Sequence, residues 1–346
     1  MAQQIALNIH YDAAISAGKH VDRAFVCHYS SHILIHEKDT CSHLLKMDPI
    51  IVSKKDNTVH QEPISYADIV NKFNPTSSTI SNNPCAVIIE CPHREIGGKC
   101  TPYEDLEKIS EHCRQAGVAL HMDGARLWEA TAHYTTSTTS TGMSVTSKDL
   151  CNLFDSIYVS CYKGIGGMTG AVLLGKADFI AEARVWLRRF GGNLFTLLPY
   201  AVSSYSSYRN FVAWNMSSSL KEASPPDVAT VSGAPLPVPY SMPARRARMQ
   251  EVVALLSKAK ELQPFVRFDP PVPEVSLVHV YIRGSVVTVR EAHEASKQET
   301  GIACFNAVRP APTIIGADAF NFPEECYFEF NMVIIQFLLL YILYLC

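Results

Sequence analysis

The sequence has 346 residues, of which 47% are hydrophobic and 18% are charged, and its formal net charge is −3. This composition excludes an intrinsically disordered chain, and the 17 glycines and 20 prolines exclude a collagen-like or low-complexity chain. The near-neutral charge gives no electrostatic footprint for binding a nucleic acid or an anionic membrane. We therefore expect one large domain or two ordinary ones, with a substantial core.

The cysteines argue against both a metal site and a disulfide framework. Eleven are present, and none forms a Cys-x-x-Cys pair. An odd number of scattered cysteines in a chain of this size is typical of thiols in a reducing compartment, where most of them are buried. We expect a cytoplasmic protein without a bound metal ion.

The first ten residues, MAQQIALNIH, lack the basic and apolar regions of a signal peptide. Ala2, Ile5, Ala6 and Ile9 recur at helical spacing and predict an amphipathic helix. Ile5, Leu7 and Ile9 also alternate, so a short strand remains the alternative. A helix that starts without capping residues indicates that upstream sequence is missing.

The last fourteen residues, 333–346, are apolar except for Gln336. They fall short of the roughly 20 residues that a membrane-spanning helix needs. A buried final element or a non-native segment is the favoured interpretation, and a tail anchor is the alternative. We expect no membrane partner.

Apolar runs alternate with amphipathic stretches between these ends. The pattern predicts strands at 85–91, 118–122, 156–160 and 171–174, with helices at 102–115 and 177–190. Strands that alternate with helices indicate an α/β domain with a mostly parallel sheet.

Two polar stretches interrupt this pattern. Residues 135–147 are rich in Ser and Thr, and residues 217–243 are rich in Ser and Pro, so both are predicted to be loops or insertions. The second stretch precedes a helix predicted at 244–262, strands at 265–268 and 275–282, a helix at 289–297 and a strand at 302–306. This order predicts a smaller α+β domain.

Two ionisable residues follow neighbouring predicted strands. Asp123 comes after one strand and Lys163 after the next, so both are expected at the carboxyl edge of the sheet, where ligands bind in such domains. On spacing alone a salt bridge is the favoured interpretation. Gly164, Gly166 and Gly167 let the backbone approach a ligand closely. Their spacing matches neither a dinucleotide-binding fingerprint nor a P-loop.

Three longer segments carry a specific resemblance: HMDGARLWEA (121–130), FDSIYVSCYKGIGGMTGAVLLG (154–175) and RRFGGNLFTLLPYA (188–201). They resemble the threonine aldolase and β-eliminating lyase family, whose members use pyridoxal phosphate (PLP) and have the type I fold. The segments at 31–37 and 94–98 match in the same order. The resemblance extends from about residue 1 to 210 and continues weakly to 332.

The resemblance implies a PLP-dependent transferase-like fold of type I, with a mostly parallel α/β domain and a smaller C-terminal α+β domain. The large domain would span 1–216 without its N-terminal part, and the small one would span 244–332. Residues 217–243 would form an insertion or linker, and 333–346 would form a tail foreign to the family. Family members bind small amino acid substrates and assemble as homo-oligomers, either dimers or tetramers.

The resemblance also implies roles for four residues. Lys163 would bond the cofactor aldehyde, and Asp123 would pair with the protonated pyridine nitrogen. His32 would stack on the cofactor ring and help move a proton; on its own it is more simply a structural histidine. Arg126 would bind the substrate carboxylate or a cofactor oxygen, and its alternative is an ion pair between strand ends.

The glycines and arginines at 188–192 are ambiguous. In the family this loop lies near the site and the subunit contact. A helix C-terminal stop by itself explains Gly191 and Gly192 fully. Arg188 and Arg189 could reach a phosphate or a second subunit, but two cations also suit the last turn of a helix.

The implied reaction is retro-aldol cleavage of threonine or allo-threonine to glycine and acetaldehyde. One alternative is another PLP reaction, such as β-elimination, decarboxylation or transamination. The other is a truncated, inactive homologue that acts as a binding protein or is a gene-model fragment. Family members hold the cofactor phosphate with an upstream Ser-Gly-Thr turn, and this sequence begins after its expected position. We therefore expect weak cofactor binding by this chain alone.

Overall fold

The computed structural model describes residues 1–52, 61–73, 82–137, 142, 145–209, 241–301, 303, 305, 307–311 and 325–331. Most of the Ser/Pro-rich stretch, part of the Ser/Thr-rich stretch, most of the strand predicted at 302–306 and the apolar tail lie outside these residues. The chain divides into two compact units. Unit 1 comprises Met1–Lys54, Ile64–Pro92 and Cys100–Ala244, and unit 2 comprises Lys55–Pro63, His93–Lys99 and Arg245–Cys346. The domain limits drawn from the sequence remain a prediction.

Unit 1 is an α/β domain built on a six-stranded sheet. Its strands are β1 (Ala24–His28), β2 (Asp48–Val52), β3 (Ala86–Glu90), β4 (Ala119–Gly124), β5 (Ser156–Ser160) and β6 (Ala171–Gly175). Its helices are α1 (Ala2–Ser16), α2 (His32–Ile35), α3 (Tyr66–Val70), α4 (Tyr103–Ala116), α5 (Leu127–Thr136), α6 (Ser147–Asn152), α7 (Ala177–Arg189) and α8 (Leu198–Tyr208). A single π-helical turn spans Cys41–Leu45.

The sheet is mostly parallel, as predicted. Its order is β2-β1-β3-β4-β5-β6; the first five strands are parallel and β6 runs antiparallel to β5. All five residues of β3 are buried, as expected for a central strand covered on both faces. The register sets Glu90 of β3 opposite Asp123 of β4, and Asp123 opposite Tyr158 of β5. The carboxyl ends of β3, β4 and β5 therefore meet at one edge.

The N-terminal residues form a helix, which decides the alternative left open by the sequence. Helical spacing places Ile5, Ala6 and Ile9 on one side of α1, where they pack against Phe179 and Ala183 of α7. A strand would have put Ala6 on the opposite face from Ile5, so this continuous contact requires the helix.

Glycines in the left-handed conformation end two of the three longest helices of unit 1. Gly117 (φ 66°) follows α4, and its N–H donates to the Arg114 carbonyl. Gly191 (φ 73°) follows α7 and donates to the Arg188 carbonyl. Both glycines act as helix stops. Among the described helices, none combines the length and the apolar character that a membrane crossing requires.

Unit 2 contains an antiparallel sheet with helices on one face. Its elements are α9 (Met242–Lys258), β7 (Val266–Asp269), β8 (Leu277–Arg283), α10 (Val286–Thr300), β9 (Arg309–Pro310) and β10 (Glu325–Asn331). The strand order is β7-β8-β10-β9. Val278 and Val280 of β8 pack against Met249 and Val253 of α9, because alternate residues of a strand point to the same face.

The sequence pattern missed several elements, among them β1, β2, α8 and β10. Strands β1 and β2 of unit 1 are each only five residues long, and β1 is stabilised by pairing with both β2 and β3. The α8 sequence LPYAVSSYSSY is rich in serine, which has a modest helix propensity. The helix predicted at 244–262 begins two residues earlier and ends at Lys258.

Candidate active site

The carboxyl edge of the sheet in unit 1 brings together three of the predicted site residues. Asp123 lies at the end of β4, Lys163 follows β5, and His32 begins α2 just after β1. The positive charge of Lys163 lowers the pKa values of both Asp123 and His32, and the negative charge of Asp123 raises the pKa of His32. The three side chains therefore share one electrostatic environment.

Asp123 is a fully enclosed carboxyl group, only 2% exposed. Burial raises its pKa to about 7, and the negative charge of Glu90 adds to this rise. The charges of Lys163 and His32 lower it, as does the Ala125 N–H, which donates to Oδ1 at 3.1 Å. Gln3 Nε2 donates to Oδ2. A cationic ligand at this carboxyl group would offset the cost of its ionisation.

His32 is positioned by two carboxylates. Its backbone N–H donates to Glu90 Oε2 at 3.1 Å, and its ring Nε2 lies 3.2 Å from Glu37 Oε1. The bond to Glu37 is the largest cause of the raised pKa of His32, which burial opposes. The same bond lowers the pKa of Glu37 to about 2. The His32 side chain is 32% exposed, so a ligand can still reach its ring.

Lys163 stands at the start of a glycine turn. The Gly167 N–H donates to the Cys161 carbonyl at 2.8 Å and closes the turn. A Cβ at Gly167 would lie 2.6 Å from that carbonyl oxygen, so only glycine fits there. The turn brings Lys163 Nζ to 5.5 Å from the centre of the Tyr162 ring.

Arg126 faces an acidic side chain of its own helix. Its Nε lies 3.8 Å from Glu129 Oε1, and these side chains are 11% and 1% exposed. A Cβ at Gly164 would lie 2.9 Å from the same Glu129 oxygen, so Glu129 lies against the turn that carries Lys163. This ion pair forms within one helical turn, whereas the alternative considered from the sequence was an ion pair between strand ends. The role of Arg126 in binding a substrate remains a prediction.

The first turn of α1 also reaches this edge. Gln3 contacts Asp123, and Gln4 Nε2 donates to Glu37 Oε2 at 2.9 Å. The amide oxygens of Gln3 and Gln4 are buried without a hydrogen-bond partner among the described residues. No side chain caps the start of α1 at Met1. The edge thus has buried acceptor oxygens that a polar ligand could satisfy.

Five residues of this site were not predicted from the sequence: Gln3, Gln4, Glu37, Glu90 and Glu129. Glu90 could have been found, because it ends a buried strand just as Asp123 does. Glu37 lies in a matching segment, but no local pattern assigned it a partner. The glutamines carry no signal of their own, since only packing of α1 against the sheet brings them to the carboxylates.

Comparison with known proteins identifies the family. The family model described as beta-eliminating lyase matches residues 1–261. The chain belongs to the beta-eliminating lyase family. This assignment agrees with the resemblance that segments 121–130 and 154–175 carry.

A low-specificity L-threonine aldolase of Candida albicans is 29% identical over 174 residues, which are 49% of this chain and 42% of that protein. The low-specificity L-threonine aldolase 1 of Arabidopsis thaliana is 30% identical over 164 residues, 47% of this chain and 42% of that protein. The chain thus spans about two fifths of the length of these family relatives.

A solved structure described as an L-allo-threonine aldolase from Listeria monocytogenes is 30% identical, with a TM-score of 0.70. The match covers 96% of this chain and 73% of the Listeria chain. The serine palmitoyltransferase of Sphingomonas wittichii, 13% identical with a TM-score of 0.53, shares the fold alone. The predicted type I fold of the beta-eliminating lyase family is confirmed.

Proposed function

We propose that this family member is a PLP-dependent lyase that cleaves threonine and allo-threonine to glycine and acetaldehyde. The observation that carries the proposal is the placement of an amine, Lys163, and a buried acid, Asp123, at one edge of a type I fold, where the charge of Lys163 acts on Asp123. The low-specificity threonine aldolases among its relatives support the same substrate class.

The residues at this edge fit PLP. Asp123, whose pKa burial raises, gains a cationic partner if it faces the protonated pyridine nitrogen. Lys163 would hold the cofactor through its aldehyde. The bound cofactor supplies an electron sink for the bond broken at the substrate Cα.

The other side chains have roles around the substrate in this proposal. His32 would stack on the cofactor ring and move a proton, which its partial exposure permits. Arg126 offers a planar fork to the substrate carboxylate. Glu129 would then share Arg126 with the substrate and hold it close to the Lys163 turn.

The role of Lys163 can be tested by the visible absorption band that forms when its amine bonds the cofactor. The wild-type chain, titrated with PLP, is expected to show this band, and Lys163→Ala is expected to lose it. Lys148→Ala removes an exposed lysine from α6 and serves as the matched control. Equal bands in the wild type and Lys163→Ala, or no band in the wild type at saturating cofactor, would contradict the assignment.

The products distinguish the aldolase from other PLP enzymes. With L-threonine or L-allo-threonine, we expect equal amounts of glycine and acetaldehyde. Ammonia and 2-oxobutanoate without glycine would instead identify an eliminating enzyme.

We further propose that the chain assembles with copies of itself and works in the cytoplasm. An apolar stretch of unit 1 supports assembly, because Phe195 is 95% exposed and Leu198 is 74% exposed. The buried thiols of Cys27, Cys85 and Cys113 suit a reducing compartment.

A further inference from the structure

A carboxylate without a role in the proposed reaction holds the ring of His32. Glu37 approaches Nε2 of His32 at 3.2 Å with one oxygen, and its other oxygen accepts from Gln4 Nε2 at 2.9 Å. An ionised carboxylate can only accept hydrogen bonds, so Nε2 must carry the hydrogen. Within the described residues, no hydrogen bond reaches the other ring nitrogen, Nδ1.

The charges around His32 come from several elements. Glu37 has the largest effect on its pKa, and the more distant charges of Asp123 and Glu90 act in the same direction. Lys163 opposes them. The ring of His36 lies 4.9 Å from that of His32, between centroids, at an angle of 37°.

Glu37 itself is kept ionised. The hydrogen bond from His32 is the largest cause of its low pKa, and the hydrogen bond from Gln4 lowers it further. Glu37 is thus a stable anion at neutral pH, with both oxygens bonded. A carboxylate in this position sets the tautomer of an imidazole and makes its second nitrogen a stronger base.

We propose that Glu37 is the positioning residue of His32, fixed in turn by Gln4, and that it directs Nδ1 of His32 toward the β-hydroxyl group of the substrate. This inference rests on the proposed function. The hydroxyl proton moves to Nδ1, so one O–H bond breaks and one N–H bond forms, while the Nε2 proton stays on His32.

The step balances without any further reactant. The electron pair of the O–H bond becomes the second carbon–oxygen bond of the departing aldehyde, and the pair of the Cα–Cβ bond remains on the glycine fragment. The proton on Nδ1 then returns to Cα, which restores neutral His32.

The pairing of His32 with Glu37 can be measured on the cofactor-free chain by NMR titration of its histidines. The signal of His32 is assigned as the one that disappears in the His32→Gln variant. Glu37→Gln keeps the size of the side chain but removes its charge, so the pKa of His32 is expected to fall by about one to three units. Glu37→Asp keeps the charge and is expected to retain part of the shift. Asp39→Asn removes a nearby exposed acid and should leave the titration unchanged.

Steady-state kinetics on the PLP-loaded protein give the second readout. Glu37→Gln should lower kcat/KM for L-threonine by about ten- to a hundredfold. The acidic limb of the pH profile of kcat/KM should move to lower pH in this variant. The visible absorption band that depends on Lys163 should persist. An unchanged His32 titration in a folded Glu37→Gln protein would overturn the inference. Absence of both the band and threonine cleavage in the wild type would instead overturn the proposed function, and the NMR titration would still decide the pairing.

Discussion

Asp123 shows how the interior of the protein changes the chemistry of a single residue. In water its carboxyl group would ionise with an ordinary pKa of 3.8, but burial raises this pKa to about 7. The nearby negative charge of Glu90 increases the free-energy cost of ionising Asp123, and the positive charge of Lys163 reduces that cost. The cofactor-free chain therefore carries a polar group in a place where its charged form is disfavoured.

We expect Asp123→Asn to stabilise the cofactor-free protein more at pH 8 than at pH 5. Because the pKa is higher in the folded state, the contribution of Asp123 to stability falls as pH rises from about 4 to about 7. Asparagine does not ionise, so the free energy of unfolding of Asp123→Asn relative to the wild type should grow over this pH range, by an amount on the order of 1–4 kcal/mol. Urea unfolding at both pH values measures it.

Asp12→Asn provides the control for this experiment. Asp12 is an exposed acid on α1, so its replacement should change stability by a similar small amount at both pH values. An Asp123→Asn gain that is the same at pH 5 and pH 8 would contradict the raised pKa.

The helices of unit 1 depend on glycine at the points where the chain must turn left-handed. Gly18 and Gly117 follow α1 and α4 with φ angles of 73° and 66°. A Cβ at Gly18 would meet nothing within 4 Å, whereas one at Gly117 would lie 2.3 Å from Lys19 Nζ. The lysine also donates to the Gly117 carbonyl at 2.7 Å, so the two helix ends are linked.

Alanine at each position should separate backbone strain from crowding. Gly18→Ala is expected to lower the free energy of unfolding by about 1–2 kcal/mol, the cost of a left-handed L-residue. Gly117→Ala should cost the same plus part of a hydrogen bond, because Lys19 must move away. Chemical unfolding of both variants measures the difference, and a smaller loss for Gly117→Ala would contradict this account.

At the scale of the whole molecule, contacts between distant segments define the compact units. In unit 2, Lys99 contacts Asp269 at 3.1 Å, and both side chains are almost fully buried. This ion pair joins a short segment that lies between β3 and α4 to strand β7. A pattern read along the chain cannot identify such a pair, since its members lie 170 positions apart in the sequence.

The proposed self-assembly predicts a measurable mass. In light scattering after size-exclusion chromatography, the wild-type chain should have a mass that is a multiple of 38.3 kDa. Phe195→Asp with Leu198→Asp should lower it, because a charged group in an apolar contact is costly. Val287→Asp changes an exposed residue of α10 and should leave it unchanged. A wild-type mass of one chain would contradict the proposal.

Local patterns in the sequence were enough to predict the α/β class and the shared location of Asp123 and Lys163. Continuous apolar runs mark buried parallel strands, and the carboxyl ends of such strands meet at one edge whatever the remaining packing. The helix stops at Gly117 and Gly191 also follow from a local pattern, because glycine readily adopts the left-handed conformation that ends a helix.

Only the tertiary structure decided what surrounds these two residues. Gln3 reaches Asp123 across 120 positions of the chain, and Gln4 reaches Glu37 across 33. The raised pKa of Asp123 likewise depends on burial, which no local pattern specifies. Contacts of this kind arise when α1 packs against the sheet, so their physical cause is the folding of the whole unit and not the order of neighbouring residues.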